Sequence, residues 1–369
     1  MSLELSDEQK QLKDQVSRLL DEKATPDVLR KLITAGTGID RDLWAQVAGL
    51  GLLGAAIPEE YGGVGLGEKD LCVIAEEMGR TVAPIPFFSS ICLAAEALKL
   101  AGTAAQKAAW LPRLASGEAI GTFAWNEGPG AADAAGVTVK FAGGKVSGVK
   151  SPVADAEIAD VAVVVCAGPK LVLVPLAQAG VRIEHMTGFD QLRNHAKVSF
   201  DSAAGEAMEG ADAHETLRRL YDRAAIYAAF EQVGAAESAM LMARDYTMGR
   251  YTFGRQLASY QAVKHRLADI LVMVELARSN ALYAAQVLEA DGPDLAAAAA
   301  TARIGATRAY EIAARENLQL HGGIGFTWEA NCHFHYRRAR LLALNLGSAE
   351  VWESKLIDAL TTANTPAAA

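Results

Sequence analysis

The sequence predicts an α+β protein whose domains run helical, β, helical. Three observations carry this. Apolar residues recur at helical spacing through the first third, short β-branched runs split by glycines fill the middle, and long alanine-rich apolar faces fill the rest. At 369 residues and 51% apolar composition, the chain has ample core and sits near the upper size of a single one, so sub-domains are expected. Residues 1–118 are read as an N-terminal helical domain, 119–210 as a middle β domain and 211–369 as a C-terminal helical domain.

The first helix opens on Ser6 and Gln9, the spacing of a capping box, and continues through Leu12, Val16, Leu19 and Leu20. A second helix carries Leu43, Val47 and Leu50 and stops at Pro58-Glu-Glu-Tyr-Gly-Gly63, where proline and paired glycines break the period. Leu71, Ile74 and Met78 mark a third, and more helix is expected from about 91 to 114. Residues 120–125, 137–141 and 145–149 are short alternating runs, 161–166 and 171–175 are continuous apolar runs, and 197–200 alternate again. Strands at this spacing make a compact barrel or sandwich. Beyond residue 213 come helices over Leu217–Met242, His265–Leu288, Asp294–Gln319 and Ala349–Thr361, then a frayed tail.

A net charge of -9 repels phosphate backbones and excludes nucleic acid as an expected partner. Cys72, Cys92, Cys166 and Cys332 lie far apart and read as buried thiols in a reducing compartment. The N-terminus has neither the basic nor the apolar region of a signal peptide, and no apolar run is long enough to span a membrane, so a cytoplasmic location is expected.

Three local patterns occur in order: Pro58-Glu-Glu-Tyr-Gly-Gly63, Arg250-Tyr-Thr-Phe-Gly-Arg-Gln-Leu-Ala-Ser-Tyr-Gln261 and Gln319-Leu-His-Gly-Gly-Ile-Gly-Phe-Thr327. Alone each has a plain structural reading: a helix-end turn, or a glycine C-cap at Gly322-Gly323. As an ordered set on a helical–β–helical layout they resemble the acyl-CoA dehydrogenase family over nearly the whole chain. The resemblance implies a β-barrel middle, a C-terminal four-helix bundle, FAD as cofactor, an acyl-CoA substrate, an electron-transfer flavoprotein as acceptor and an oligomer in which a neighbouring subunit completes each FAD site. It places Arg250, Thr252, Phe253, Gln261, Gln319, Gly322 and Gly323 against FAD across that interface. The chemistry is suitable: a guanidinium pairs with pyrophosphate, Thr252 offers a hydroxyl, Phe253 a ring face and Gln261 an amide, and glycines allow close approach.

The family's chemistry also needs a carboxylate to take the α-proton of the thioester. Counting from Gly325-Phe326 without gaps, its place falls in Asn345-Leu346-Gly347-Ser348, and Leu346 accepts no proton at any pH. Some relatives carry the base on the first long C-terminal helix, where this chain has Ala224 and Ala225. Asp222 and Arg223 are one or two positions away and so point elsewhere, and Glu231 lies about 10 Å further along. In the middle domain, Trp125-Asn-Glu-Gly-Pro-Gly-Ala-Ala-Asp133 lacks the family's serine. Pro152 and Ala154 stand where an aromatic platform and a hydroxyl are usual.

The losses fall on positions that serve a chain's own flavin cleft, while those that reach a neighbour's flavin survive. This predicts the base-less subunit of a heteromer, possessing no catalytic residue of its own and paired with a related subunit that carries the Glu. The related bacterial heteromers implied by the resemblance oxidise bulky acyl-CoA thioesters, including steroid side chains. The alternatives are a homo-oligomeric dehydrogenase with a relocated base at Asp222 or Glu231, and a flavin-dependent monooxygenase of the same fold. Cys332-His333-Phe-His335 resembles a metal site only superficially, since zinc needs three or four ligands and no second cluster supplies them, so no metal is expected. His321 is open to a ligand contact or to a structural hydrogen bond. The Glu76-Glu77 pair reads as a solvated helix face.

Overall fold

The computed structural model describes residues 4–130, 134–209 and 213–364. The first helices are α1 (Asp7–Lys23), α2 (Pro26–Ala35), α3 (Arg41–Gly49) and α4 (Glu68–Arg80). A π-helical stretch, Phe88–Ala95, runs into α5 (Glu96–Ala101), and α6 (Ala104–Ala115) follows. Ser6 caps α1 as predicted: its Oγ accepts from Gln9 N at 3.2 Å, and Gln9 Oε1 accepts from Ser6 N at 3.1 Å. Thr103 and Gln106 form a second capping box at the start of α6 that the sequence reading passed over. The Pro58–Gly63 stop is also steric. Gly62 takes φ +76, and a Cβ on Gly63 would lie 1.9 Å from Ile57 O, so only glycine closes that turn.

The strands are β1 (Gly121–Ala124), β2 (Lys140–Ala142), β3 (Lys145–Ala154), β4 (Val161–Cys166), β5 (Lys170–Pro175), β6 (Val181–Met186), β7 (His195–Ala204) and β8 (Glu206–Ala207). They form two four-stranded sheets, β1-β4-β5-β8 and β2-β3-β7-β6. Both feed one cluster of buried side chains that includes Val146, Val153, Val164, Val174, Val198 and Phe200. β4 is buried at every position, as its unbroken apolar run predicts. β6 was missed because Arg182, Glu184 and His185 obscure its alternation.

The C-terminal third contains α7 (Ala213–Gly249), a hairpin of β9 (Tyr251–Thr252) and β10 (Arg255–Gln256), then α8 (Gln261–Glu289), α9 (Leu295–Leu320), α10 (Cys332–Leu342) and α11 (Ala349–Asn364). α8 begins four residues before the predicted His265, directly at Gln261.

Contacts divide the chain into two compact units: residues 1–26, 72–83 and 225–369 form one, and residues 27–71 and 84–224 the other. In the first, Glu76 and Glu77 are buried, which corrects the solvated-face reading. Lys13 lies 3.0 Å from Glu76, Arg278 also pairs with Glu76, and Arg80 lies 2.5 Å from Glu77. Adjacent acids on a helix look solvated when their cations are distant in sequence, and Arg278 is 202 residues away. Among the described residues no helix is long and apolar enough to cross a membrane.

Candidate cofactor and substrate site

Leu346 sits in the turn after α10 and is 7% exposed. Its carbonyl accepts from Trp352 Nε1 at 3.0 Å, and Trp352 is itself buried. The next residue, Gly347, takes φ +96, which glycine tolerates and a side chain resists. An aliphatic side chain therefore stands packed at this place, with no titratable atom.

The carboxylates considered as substitutes are committed elsewhere. Asp222 is fully buried and accepts from Arg218 Nη1 at 3.2 Å. Its neighbour Arg223 donates from Nε to Glu96 at 2.6 Å and also pairs with Glu68, which Lys99 approaches at 3.0 Å. Glu231 is buried with Arg338 Nη1 3.5 Å away. Nearby, burial brings the Arg303 guanidinium down to about 10, with Glu231 opposing the shift. Carboxylates paired with buried cations are fixed in place, since detaching one strands a buried charge.

The residues assigned to FAD lie at one end of the long helices and are mostly exposed. β9 and β10 pair as Thr252 with Arg255 and Tyr251 with Gln256. Phe253 and Gly254 make the two-residue tip, with φ +51 and +78. Two positive φ values are what such a hairpin needs to match strand twist. The tip carries the Phe253 ring at 94% exposure, beside Arg250, which makes no ion pair among the described residues. Gln261 opens α8 and Gln319 stands on the last turn of α9, both exposed. Tyr246 stacks on His321 with centroids 4.0 Å apart, and Arg266 Nε lies 3.4 Å from Glu316, so the end of α7, the start of α8 and the end of α9 are neighbours.

Gly322–Phe326 is a 3-10 turn. A Cβ on Gly322 or Gly323 would meet nothing within 4 Å, so the chain's own packing does not require these glycines, although Gly322 takes φ +64. Gly325 is different: a Cβ there would lie 2.4 Å from Leu318 O. His321 takes the structural option, its Nδ1 lying 2.8 Å from Asn317 O. An unpaired guanidinium, an exposed ring, two exposed side-chain amides and two open glycines fit a dinucleotide carrying an anionic pyrophosphate and an apolar base. Sequence reasoning missed Tyr246, Tyr260 and Gly325, which hold this set. Only their closeness to the motifs signals them.

In the middle domain, Trp125 meets Tyr221 edge-on at 4.3 Å, and Trp125 Nε1 is buried without a hydrogen-bond partner among the described residues. Glu127 accepts from Lys150 Nζ at 2.7 Å, Thr138 Oγ1 at 2.5 Å and Val139 N at 3.1 Å. Burial opposes its charge, but these bonds outweigh it and bring the carboxyl down to about 2. Burial lowers the fully buried Lys150 ammonium, and Glu127 works against that. Pro152 and Ala154 lie in β3, and neither supplies an aromatic face or a hydroxyl. Part of the Trp125–Asp133 stretch, 131–133, lies outside the described residues. Cys332, His333 and His335 are packed into α10, and among the described residues no cluster suited to a metal occurs.

Family models described as the N-terminal and C-terminal domains of acyl-CoA dehydrogenase match residues 6–118 and 215–360. The chain is similar to acyl-CoA dehydrogenase IpdE2 of Mycobacterium tuberculosis, with 31% identity over 94% of this chain and 98% of the relative. Among solved structures it is similar to a variant of the Tcur3481-Tcur3483 steroid ACAD, with TM-score 0.89 and 31% identity over 97% of this chain and 98% of that one. It is also similar to the ChsE4-ChsE5 complex from Mycobacterium tuberculosis, with TM-score 0.87 and 25% identity over the full length of both chains.

Proposed function

The chain belongs to the acyl-CoA dehydrogenase family of FAD-dependent oxidoreductases, and from that premise we propose that it is a base-less subunit completing the FAD site of a homologous partner. The observation that carries the proposal is the division of labour within one sequence. Leu346 is a buried hydrocarbon, whereas Arg250, Phe253, Gln261 and Gln319 stand exposed.

FAD, when bound, supplies the acceptor for the hydride that leaves the substrate β-carbon. In this reading the partner's carboxylate removes the α-proton. Arg250 offers two parallel N–H donors to the pyrophosphate, Thr252 a hydroxyl, Phe253 a ring face, and Gln261 and Gln319 amides, while Gly322 and Gly323 leave room for the cofactor to approach. None of these groups moves a proton. Their work is binding and orientation.

Two similar structures, the Tcur3481-Tcur3483 steroid ACAD and the ChsE4-ChsE5 complex, bear two-component names, which supports a heteromer. The word steroid in the first supports a bulky acyl-CoA as substrate class. The electron acceptor in this reading is an electron-transfer flavoprotein. The ion pairs of Asp222 and Glu231 argue against a relocated base. The test is to purify the chain alone and together with an acyl-CoA dehydrogenase homologue from the same organism that carries the Glu. The expected result is colourless, inactive protein alone and a yellow complex bleached by an acyl-CoA. A yellow, acyl-CoA-reducible homomer would overturn the proposal.

A further inference from the structure

We propose that Tyr260 is a positioning residue that fixes the cofactor-reaching hairpin in its working shape before any flavin is met. The inference rests on the reading of Arg250, Thr252 and Phe253 given above.

The hairpin has little to hold it. Its strands are two residues each, and a short isolated hairpin is marginal in water. Its tip adds strain, because Phe253 rather than glycine takes a left-handed conformation at φ +51. The Phe253 ring is 94% exposed, so no packing of its own side chain offsets that strain.

Tyr260 supplies what is missing, by gripping both strands. Its hydroxyl donates to Thr252 O on β9 at 3.0 Å. Its ring lies beneath the Arg255 guanidinium of β10, with 3.8 Å from Cζ to the ring centroid. Its carbonyl accepts from Val263 N at 3.1 Å and Lys264 N at 3.0 Å, which roots it in the first turn of α8. Leu257 N closes the base of the hairpin on Arg250 O at 2.7 Å. One side chain thus ties Thr252, and through the short strands Arg250 and Phe253, to the helix that begins at Gln261. Ordering these groups in advance removes an entropy cost from cofactor binding.

The hydroxyl and the ring are separable. Tyr260→Phe keeps the ring under Arg255 and deletes only the bond to Thr252 O. The experiment takes the purified complex with the partner subunit, strips its flavin and titrates FAD back. Arg250→Ala reports on the underlying reading. Tyr260→Phe is expected to weaken FAD binding about fivefold, the effect of one neutral hydrogen bond, with assembly intact. Amides of residues 251–256 in the free chain should exchange faster. Weakened binding in Arg250→Ala with unaltered binding in Tyr260→Phe would overturn the role of Tyr260 alone. Unaltered binding in Arg250→Ala would overturn the reading and the inference together. Loss of assembly in Tyr260→Phe, with FAD affinity intact in whatever complex forms, would reduce Tyr260 to a structural residue and also overturn the proposal.

Discussion

At the residue scale, Leu346 and Phe253 mark the two halves of the functional reading, and each yields a prediction. Leu346→Glu puts a carboxylate where the ungapped count places the family's base, but at a position only 7% exposed. The charge loses its water there, and the variant should be less stable by about 1–3 kcal/mol in urea titrations. It should still show no acyl-CoA-dependent flavin bleaching when purified alone, because in the proposed reading Pro152 and Ala154 also deprive the middle domain of a flavin platform. Bleaching by the lone variant would mean that the base was the sole deficiency. Phe253→Ala should leave the free chain within about 0.5 kcal/mol of wild type, as befits an exposed tip. In the complex it should raise the FAD dissociation constant about tenfold, a loss of roughly 1.4 kcal/mol. An unchanged constant would remove Phe253 from the site. The identity of residue 346 was legible from an ungapped count. Its burial and its carbonyl's bond from Trp352 were not, because nothing local to Leu346 announces an indole donor six residues on.

At the element scale, the crossing of α4 with α7 shows what periodicity does and does not convey. Leu71, Ile74 and Met78 mark α4 as a helix, and it forms, but residues 71–79 are buried on every side. The closeness of the approach is set by two glycines that the apolar pattern ignores. A Cβ on Gly79 would lie 1.8 Å from Glu231 O, and one on Gly234 would lie 2.0 Å from Glu76 O. Both obstacles are backbone, so the helices themselves would have to part. Alanine gains about 1 kcal/mol of helix propensity over glycine, yet overpacking of this kind costs about 3 kcal/mol. Gly79→Ala and Gly234→Ala should therefore each destabilise the fold by about 2 kcal/mol. A urea midpoint equal to or above wild type in either variant would refute the close crossing. The same crossing explains Glu76: it is buried because α4 lies so close to α7, and Arg278 bridges it to Glu237.

At the scale of the whole molecule, the helical–β–helical order was legible because the apolar period changes near residue 120 and again near 213. The grouping of α1 and the later part of α4 with the C-terminal helices was not, since it rests on partners far apart in sequence. The balance of charge inside the molecule was also hidden, and it governs the response to acid. His335 is buried between Tyr310 OH at 3.2 Å from Nδ1 and Ser238 Oγ at 3.4 Å from Nε2. Burial first, and Arg338 second, bring its ring down to about 3 from an ordinary 6.5. The unfolded chain therefore binds a proton between those values that the folded chain refuses, so stability falls as pH drops below 6.5, by about 1 kcal/mol per pH unit in mid-window. His195, also lowered by burial, acts in the same sense. Glu127 adds a second limb. Its contribution is complete above the ordinary carboxyl value of 4.5 and is lost as pH falls through about 2. Urea midpoints for wild type should thus decline from pH 6.5 downward and steepen below 4.5. His335→Gln, which cannot titrate, should be less stable at pH 7.5 but should decline more shallowly between 6.5 and 4.5. Parallel declines in the two proteins, or a wild type that gains stability on acidification, would show that His335 is not held neutral in the fold.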